Sequence, residues 1–302
     1  MMHMYPKYTN FGTKTQSSKT SIAFPPQQQL CQPGIEYTMS PRPISENKAY
    51  QGSGKLRGKV ALITGGDSGI GRAVAYAFAK EEACITISYL NEHRDAKETE
   101  ERIKELGGKC LLLPGDLCEE SHSDKIVKKV IQIFGHIDIL VNNHAVQFPK
   151  SSILDITAEQ LDHTFRTNIY PFFYLTKATL PYLPKNSSII NTTSITAYNG
   201  SKDLIDYSAT KGAIVSFTRS LSLSLAAKQI RVNAVAPGPI WTPLIPASFS
   251  TEKLSGFGNN TPMKRAGQPF ELAPAYVYLA SSDSIYVSGQ VLHVNGGMIT
   301  ES

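Results

Sequence analysis

From Lys59 onward, short β-branched apolar runs alternate with longer stretches in which apolar side chains recur every three or four positions. The short runs predict strands at Val60–Ile63, Cys84–Tyr89, Lys109–Pro114, Ile137–Asn142, Ser188–Thr193, Ile230–Ala236 and Gln290–Val294. The periodic stretches predict helices at about 70–81, 93–106, 119–134, 158–184, 207–228 and 269–281. Such alternation is typical of α/β proteins with a doubly wound parallel sheet, here of seven strands, with helices on both faces. We expect a single domain of this class.

Residues 1–54 lack this alternation. Proline-containing segments at Pro25-Pro26, Pro33-Gly34 and Pro41-Arg42-Pro43 interrupt any helix or strand there. The sequence therefore predicts an irregular N-terminal arm, disordered at its start, followed by one domain at residues 55–302. It leaves open whether residues 24–50 dock on a neighbouring subunit.

The net charge of +5 changes this picture little, because the arm carries most of it. The basic residues of the arm are spread thinly, so we expect no nucleic-acid partner. No apolar run approaches the roughly 20 residues of a membrane helix, and the N-terminus lacks the apolar core of a signal peptide, so we expect no membrane association. The four cysteines include no closely spaced pair, which predicts reduced thiols, a cytoplasmic location and no metal site.

A glycine-rich turn follows the first strand of the domain. It is flanked by the apolar run Val60–Ile63 and a helix-like stretch from Arg72, which is the context of a Rossmann-type dinucleotide site. Glycines permit a tight turn, and the helix N-terminus offers free N–H groups to a pyrophosphate. An ordinary glycine-rich turn is the alternative, but its context favours cofactor binding. The predicted cofactor contacts in this turn are Thr64, Gly65, Asp67, Ser68, Gly69, Ile70 and Gly71.

The ends of the next strands should line the same crevice, because ligands of doubly wound sheets bind at the carboxyl ends of the strands. Asp116 can accept a hydrogen bond from an adenine amino group, or it can cap the helix that follows. Asn142 can brace its strand or contact the adenosine ribose. The predicted cofactor contacts at these strand ends are Tyr89, Leu90, Asp116, Leu117 and Asn142.

The identity of the nicotinamide cofactor depends on charge near the end of the second strand. An acidic residue there favours a free ribose diol, and a basic residue favours a 2′-phosphate. Glu92 favours the first and Arg94 the second. Asp67 in the glycine-rich turn would repel an additional phosphate, so the sequence favours NAD over NADP.

Tyr207 and Lys211 are separated by one helical turn and lie on one helix face. A nearby ammonium group and an oxidised nicotinamide would both lower the pKa of the phenol, which can then exchange a proton with a substrate hydroxyl. Ser194 ends a predicted strand and can hydrogen-bond the substrate oxygen. Asn168 can bond helix backbone or hold a water that leads to Lys211. The spacing of Tyr207 and Lys211 alone would also fit an ordinary helix-face pair.

The ordered set of motifs over residues 55–298 resembles the short-chain dehydrogenase/reductase family. Thr64, Gly65 and Gly69-Ile70-Gly71 match its glycine-rich element, Asp116 matches its adenine-binding Asp, and Asn142-Asn143 begin its N-N-A-G element. His144 and Ala145 depart from that element; the imidazole can narrow the crevice, contact the cofactor or alter the backbone path, and a structural role is the simpler interpretation. The catalytic tetrad of the family falls on Asn168, Ser194, Tyr207 and Lys211. Further cofactor contacts fall on Tyr207, Lys211, Pro237, Gly238, Ile240 and Thr242.

The arm resembles a bacterial subgroup of stress-associated oxidoreductases and aldehyde reductases. The resemblance implies a homotetramer with the helices around 158–184 and 207–228 at one interface.

We therefore expect an oxidoreductase that transfers a hydride between a nicotinamide cofactor and an alcohol or carbonyl substrate. A catalytically silent NAD(P)-binding sensor is the alternative. A nucleotide-sugar epimerase would need a larger C-terminal domain than the residues after Gly238 provide. Residues 241–265 should form a mobile lid over the substrate, and the sequence does not distinguish aldehydes, ketones and sugars.

Overall fold

The computed structural model describes residues 24–299 and the backbone of residues 13–15 and 19–21. Two short strands in the arm, β1 and β2, pair antiparallel, and seven parallel strands form the main sheet. Within the described residues the strands are β1 (Thr13–Thr15), β2 (Lys19–Ser21), β3 (Val60–Thr64), β4 (Cys84–Tyr89), β5 (Lys109–Pro114), β6 (Ile139–Asn142), β7 (Ser188–Thr192), β8 (Arg231–Pro237) and β9 (Val291–Val294).

Helices connect the strands of the main sheet. The α-helices are α1 (Gly69–Lys80), α2 (His93–Glu105), α3 (Glu120–Phe134), α4 (Ala158–Asn168), α5 (Tyr170–Thr179), α6 (Thr196–Asn199), α7 (Ile205–Leu225), α8 (Thr251–Leu254) and α9 (Pro269–Ala280). Short 3-10 helices span Glu36–Thr38, Ile153–Asp155, Leu180–Tyr182, Ala226–Lys228 and Ser282–Ser284.

The main sheet has the order β5-β4-β3-β6-β7-β8-β9, and every pair of neighbours is parallel. The chain thus starts near the middle, winds outward in one direction to β5, and then crosses back to β6 on the other side of β3. A crevice opens at the carboxyl ends of β3 and β6, where the winding direction reverses. This confirms the predicted doubly wound fold.

One predicted helix is wrong in its extent. The apolar periodicity predicted a continuous helix at about 158–184, but the structure breaks it between α4 and α5 at Ile169, whose φ of −123° is not helical. Pro171 explains the break, because a proline lacks the N–H that would bond the carbonyl of the residue four positions before it. The short helices α6 and α8 have too few residues to show a periodicity and were not predicted.

Apolar side chains of β3 point alternately to the two faces of the sheet. Ala61 and Ile63 pack in one layer with α1 and α9, while Val60 and Leu62 pack in the opposite layer with α3, α5 and the end of α7. Both layers are fully buried at β3, which follows from covering a parallel sheet on both faces. The two layers hold the strand ends, and therefore the crevice, in fixed positions.

The arm docks on its own chain. Phe24 stacks on Trp241 with ring centroids 3.8 Å apart, and the indole N–H of Trp241 donates to the carbonyl oxygen of Pro41 at 3.0 Å. The amide of Ile44 donates to Oε1 of Gln268 at 2.9 Å, at the start of α9. The start of the arm was expected to be irregular, but Thr13–Thr15 and Lys19–Ser21 form paired strands; the other residues before Phe24 lie outside the described range.

Glu36, also from the arm, is buried against the first turn of α1. Its Oε2 accepts the N–H of Gly69 at 2.6 Å, and its Oε1 accepts a guanidinium N–H of Arg72 at 2.6 Å. The same guanidinium lies 3.3 Å from Asp95 of α2. A buried guanidinium requires such partners, because leaving a charge without them costs several kcal/mol. Through Glu36, the arm therefore helps to stabilise the glycine-rich turn and the first turn of α1.

Gly71 allows α1 to pack closely on the turn that follows β3. A Cβ at this position would lie 2.0 Å from the carbonyl oxygen of Gly65 and 2.8 Å from the side-chain nitrogen of Asn143. By contrast, a Cβ at Gly212 in α7 would meet no atom within 4 Å. The two glycines provide a matched pair for testing how much the cradle depends on this close approach.

We expect Gly71→Ala to lower the free energy of unfolding by about 3 kcal/mol, because backbone must move to admit the methyl group. Gly212→Ala should raise it by about 0.5–1 kcal/mol, since alanine favours a helix interior. Urea denaturation of both variants measures the difference. Equal stability of the two would show that the turn tolerates a wider separation from α1.

Candidate active site

A cavity of about 720 Å³ lies at the carboxyl ends of the central strands. It extends from the glycine-rich turn, past the ends of β4 and β5, to the start of α7 and the segment after β8. The sequence-predicted residues on its wall are Gly65, Asp67, Ser68, Gly69, Ile70, Tyr89, Leu90, Asp116, Leu117, Ser194, Tyr207, Lys211, Pro237, Gly238, Ile240 and Thr242. One continuous cavity thus contains both the predicted cofactor cradle and the predicted chemical centre.

Three predicted residues support the wall from behind. Gly71 allows the close packing described above, and Thr64 holds the next strand end: its Oγ1 accepts the amides of Asn143 at 2.8 Å and His144 at 3.2 Å. Asn142 is fully buried between strands, where its amide group donates to Oδ1 of Asn191 at 3.0 Å. Of the two alternatives for Asn142, the structure therefore supports bracing of the sheet rather than contact with a ribose.

The glycine-rich turn presents the N-terminus of α1 to the cavity. Gly65 and Gly69 have φ values of 61° and 51°, in the left-handed region that favours glycine. The side chain of Ser68 makes no capping hydrogen bond, and of the first helical amides that of Gly69 is bonded to Glu36. Thr242 lies against Gly69, since a Cβ built there would be 3.2 Å from the Cβ of Thr242. This arrangement suits a pyrophosphate at the helix N-terminus.

Two carboxylates face the cavity near the end of β4. Asp67 and Glu92 are both buried, and Oε1 of Glu92 has no hydrogen-bond partner among the described residues. Burial, followed by the charge of Glu92, raises the pKa of Asp67 to about 7. The guanidinium of Arg94 lies 4.0 Å over the ring of Tyr37 in the arm and is not on the cavity wall. This end of the cavity is therefore acidic.

Asp116 lies on the wall at the end of β5. Its Oδ1 accepts the amide of Cys118 at 2.8 Å, which shapes the loop after the strand. The N-cap of α3 is Glu119, and no side chain caps that helix. The alternative that Asp116 is a helix cap is therefore wrong, and its side chain is exposed toward the cavity.

Ser194, Tyr207 and Lys211 converge on one wall. Tyr207 and Lys211 project from the first two turns of α7, and the ammonium nitrogen of Lys211 lies 5.4 Å from the ring centre of Tyr207. The same nitrogen donates to the carbonyl oxygen of Thr192 at 2.9 Å, at the end of β7. Ser194 follows that strand and lies within hydrogen-bonding reach of the Tyr207 hydroxyl. A proton donor, a cation and a hydroxyl thus share one small region.

Burial sets the protonation of this wall. It raises the pKa of Tyr207 to about 12, against the opposing effect of the Ser194 hydroxyl. It also lowers the pKa of Lys211 to about 7. The expectation that Lys211 makes the phenol more acidic is not met in this structure, because loss of hydration disfavours the charged form of both groups. The Tyr207 hydroxyl is therefore protonated at neutral pH.

Asn168 is buried at the end of α4, one layer behind this wall. Its Oδ1 accepts the amide of Val146 at 2.8 Å, and its Nδ2 donates to the Val146 carbonyl at 2.9 Å and to the Thr210 hydroxyl at 3.2 Å. Asn168 thus joins the segment after β6 to α7, beside Lys211. The backbone that Asn168 bonds is that of Val146, outside any helix, and not the helix backbone that was expected.

Asp206 fixes the start of α7, and sequence reasoning missed it. Its buried carboxylate accepts hydrogen bonds from Gln160 at 3.0 Å and Thr164 at 2.8 Å, both in α4, and from the Tyr207 amide at 2.9 Å. The signal in the sequence was weak, because an Asp before a helix usually serves only its own helix.

The arm also contributes to the wall through Gln32, which the sequence did not indicate. Its Oε1 accepts the amide of Gln147 at 3.0 Å, and its amide group donates to the Gln147 carbonyl. The arm also contacts residues 241–265, which were expected to form a mobile lid. The Gln29 amide donates to the Pro246 carbonyl at 2.8 Å, and Trp241 is fully buried. The segment after β8 is therefore packed against the arm.

Metal-binding clusters and membrane-spanning helices are both absent from the described part of the chain. Among residues 24–299, no group of three or more His, Cys, Asp or Glu side chains is placed to hold a metal ion. No helix in the described ranges is long and apolar enough to cross a membrane.

Comparison with known proteins places this geometry in a family. The model of a family described as enoyl-(acyl carrier protein) reductase matches residues 65–299. An uncharacterized oxidoreductase of Bacillus subtilis, YhdF, is 62% identical over 90% of this chain and 94% of its own length. An NADPH-dependent aldehyde reductase of Arabidopsis thaliana is 52% identical over 91% of this chain and 98% of its own length.

A solved structure shows the same fold. The short-chain dehydrogenase of Burkholderia cenocepacia, crystallised in complex with NADP, superposes with a TM-score of 0.75 and 27% identity, covering 80% of this chain and 98% of that one. The family match over residues 65–299 includes the glycines of the turn after β3 and the whole of α7. The chain belongs to the short-chain dehydrogenase/reductase family of NAD(P)-binding oxidoreductases.

Proposed function

We propose that this protein transfers a hydride between a nicotinamide cofactor and an alcohol or carbonyl substrate, with Tyr207, Lys211, Ser194 and Asn168 as its catalytic residues. The observation that carries the proposal is the convergence of a buried phenol, a buried amine and a hydroxyl on the wall of the cavity that also contains the helix N-terminus. The residues present fit a dinucleotide at one end of that cavity, where Gly65 and Gly69 have left-handed φ values and Ser68 does not cap α1. Glu36 occupies the Gly69 amide, so the amides that follow it in the first turn are the ones offered to a pyrophosphate.

The bound nicotinamide would supply or accept the hydride. Tyr207 would donate a proton to the carbonyl oxygen during reduction, and its raised pKa keeps it protonated for that task. Ser194 would hydrogen-bond the same oxygen as negative charge develops on it. Lys211 would stabilise the phenolate that remains, and Asn168 would hold the segment after β6 in place. Alcohol oxidation uses the phenolate and is therefore favoured at high pH.

Replacing Tyr207 by Phe tests this assignment. We expect turnover to fall by about 100-fold or more, because the proton donor is lost, while dinucleotide affinity stays near that of the wild type. Cofactor absorbance across a panel of aldehydes, ketones and polyols measures turnover, and fluorescence titration measures binding.

The matched control is Tyr198→Phe, which removes a buried hydroxyl that has no hydrogen-bond partner among the described residues. It should retain turnover. Near-wild-type rates in Tyr207→Phe would refute the mechanism. A wild-type protein that binds dinucleotide but turns over no member of the panel would favour the sensor alternative.

We propose NAD as the preferred cofactor. Support comes from the two carboxylates near the end of β4, since the 2′-phosphate of NADP would face Asp67 and Glu92, whereas a ribose diol can donate to them. Arg94, the basic residue that argued for NADP, is held on the ring of Tyr37. The relative from Arabidopsis thaliana and the Burkholderia cenocepacia neighbour are described with NADPH and NADP, which are statements about those proteins.

Selectivity should depend on pH. Asp67 has a pKa of about 7, so its negative charge is present at pH 8.5 and mostly lost at pH 6. We expect the preference for NAD over NADP in kcat/KM to fall on the order of tenfold as pH decreases through this window, because repulsion of the phosphate weakens. Asp67→Asn should show the low preference at both pH values.

Steady-state kinetics with both cofactors measure the ratio, and Glu119→Gln, an exposed carboxylate off the cavity wall, is the control. A ratio that favours NADP in the wild type at pH 8.5 would contradict the proposal.

The substrate is an aldehyde, ketone or sugar in this proposal, and the cavity offers both apolar and polar contacts to it. Leu244, Ile245, Phe249 and Phe257 give it an apolar part. Polar groups that face the same space are Gln147, His163, Asn199, Ser201, Lys253 and Asn260.

We propose a homotetramer. Two separate surfaces expose large apolar side chains, as a closed assembly with two kinds of interface requires. One surface includes Leu161, Phe173 and Leu223 of α4, α5 and α7, and the other includes Ile285 and Tyr286 before β9. Sedimentation velocity should give the mass of four chains, and Phe173→Glu should give a smaller species. A monomeric wild type would contradict the assignment.

Two further predictions remain as proposals. The division into an arm at residues 1–54 and a catalytic domain at 55–302 is supported by Leu56, which packs in the domain core. The cytoplasmic location is supported by the four cysteines, all of which are free thiols.

A further inference from the structure

The ring of His144 bridges two parts of the active site. Its Nδ1 lies 2.7 Å from Oγ1 of Thr64, at the end of β3, and its Nε2 lies 3.0 Å from the carbonyl oxygen of Thr167, at the end of α4. The ring also lies on the cavity wall. It therefore spans the distance between the cofactor cradle and the helix that carries Asn168.

Pro171 explains why the Thr167 carbonyl needs such a donor. In a continuous helix this carbonyl would accept the amide of the residue four positions later. That residue is Pro171, which has no N–H, and the helix breaks between α4 and α5 at this point. The bond lies in a partly buried position, where a carbonyl shielded from water is costly to leave without a donor, so the imidazole replaces the missing amide.

The partners determine the tautomer of His144. A carbonyl can only accept, so Nε2 carries the hydrogen and Nδ1 accepts from the Thr64 hydroxyl. That hydroxyl oxygen accepts the amides of Asn143 and His144 at the same time. Burial, followed by the charge of Lys211, lowers the pKa of His144 to about 4, so the ring stays neutral; Asp116 acts in the opposite direction.

The neighbouring contacts show what the bridge holds. Thr167 directly precedes Asn168, whose side chain bonds both backbone groups of Val146. His144 and Val146 are thus both joined to the last turn of α4, and Thr64 joins the same segment to β3. We propose that His144 is a positioning residue that holds Asn168 and the end of α4 in register with the cofactor cradle. The proposal rests on the proposed function, in which Asn168 belongs to the catalytic centre.

A second-site rescue tests the proposal. His144→Ala should lower kcat about tenfold, with smaller changes in KM and in dinucleotide affinity, because the catalytic group shifts while the binding surfaces remain. Pro171→Ala provides a backbone amide four residues after Thr167. The double variant should therefore have a kcat at least about threefold higher than that of His144→Ala alone.

Two controls define the result. Pro171→Ala alone should keep kcat near that of the wild type, and His144→Gln, which retains an N–H donor at a similar reach, should keep more activity than His144→Ala. Wild-type kcat in His144→Ala, or no recovery in the double variant, would overturn the proposal. If His144→Ala does not fold, recovery of a folded enzyme by Pro171→Ala supports the proposal, and a double variant that also fails to fold refutes it.

These outcomes are separate from failure of the proposed function. That failure would appear as an inactive wild type or as unchanged turnover in Tyr207→Phe, and thermal unfolding midpoints of the His144 and Pro171 variants would still show whether the bridge exists.

Discussion

The hydroxyl of Thr64 holds together the two strands between which the crevice opens. At this point β3 and β6 separate, and their backbones lose the hydrogen bonds of the sheet. The Thr64 oxygen accepts the amides of Asn143 and His144, so neither donor is left unpaired in the interior. The side chain of Asn143 reaches back to the carbonyl of Thr64 at 3.1 Å. This reciprocal pairing joins the end of β3 to the segment after β6 at the point where the crevice opens.

Burial shifts the pKa values of the ionisable groups in the site, and removing those groups from water also costs folding free energy. Lys211, Tyr207 and Asp67 are all removed from water, which favours the neutral form of each group. The pKa of Lys211 is therefore lowered, and those of Tyr207 and Asp67 are raised. Such shifts are common where groups must exchange protons near neutral pH. The bonds of Lys211 to the Thr192 carbonyl and of Asp206 to α4 keep these groups oriented. The folded domain therefore sustains an arrangement that isolated side chains in water would not adopt.

The arm contributes to the site through ion pairing and packing. Glu36 and Asp95 together satisfy the guanidinium of Arg72 beneath the glycine-rich turn. Removing one member of such a buried group would cost about 3–5 kcal/mol, which is a large share of the stability of a typical domain. Phe24 covers Trp241 at the other side of the cavity. The arm is thus a structural part of the active site rather than an appendage.

Patterns along the chain were enough to predict the alternation of strands and helices, the glycine-rich turn after β3, and the shared helix face of Tyr207 and Lys211. These depend on local rules: apolar periodicity, the backbone freedom of glycine, and the one-turn spacing on a helix face. Three features came from folding: Asn142 bonds the neighbouring strand, Glu36 and Gln32 of the arm reach the site, and the His144 ring lies 3.0 Å from the Thr167 carbonyl oxygen. Those outcomes depend on which distant groups meet after folding, and a buried polar atom selects its partner by proximity in space rather than by any pattern along the chain.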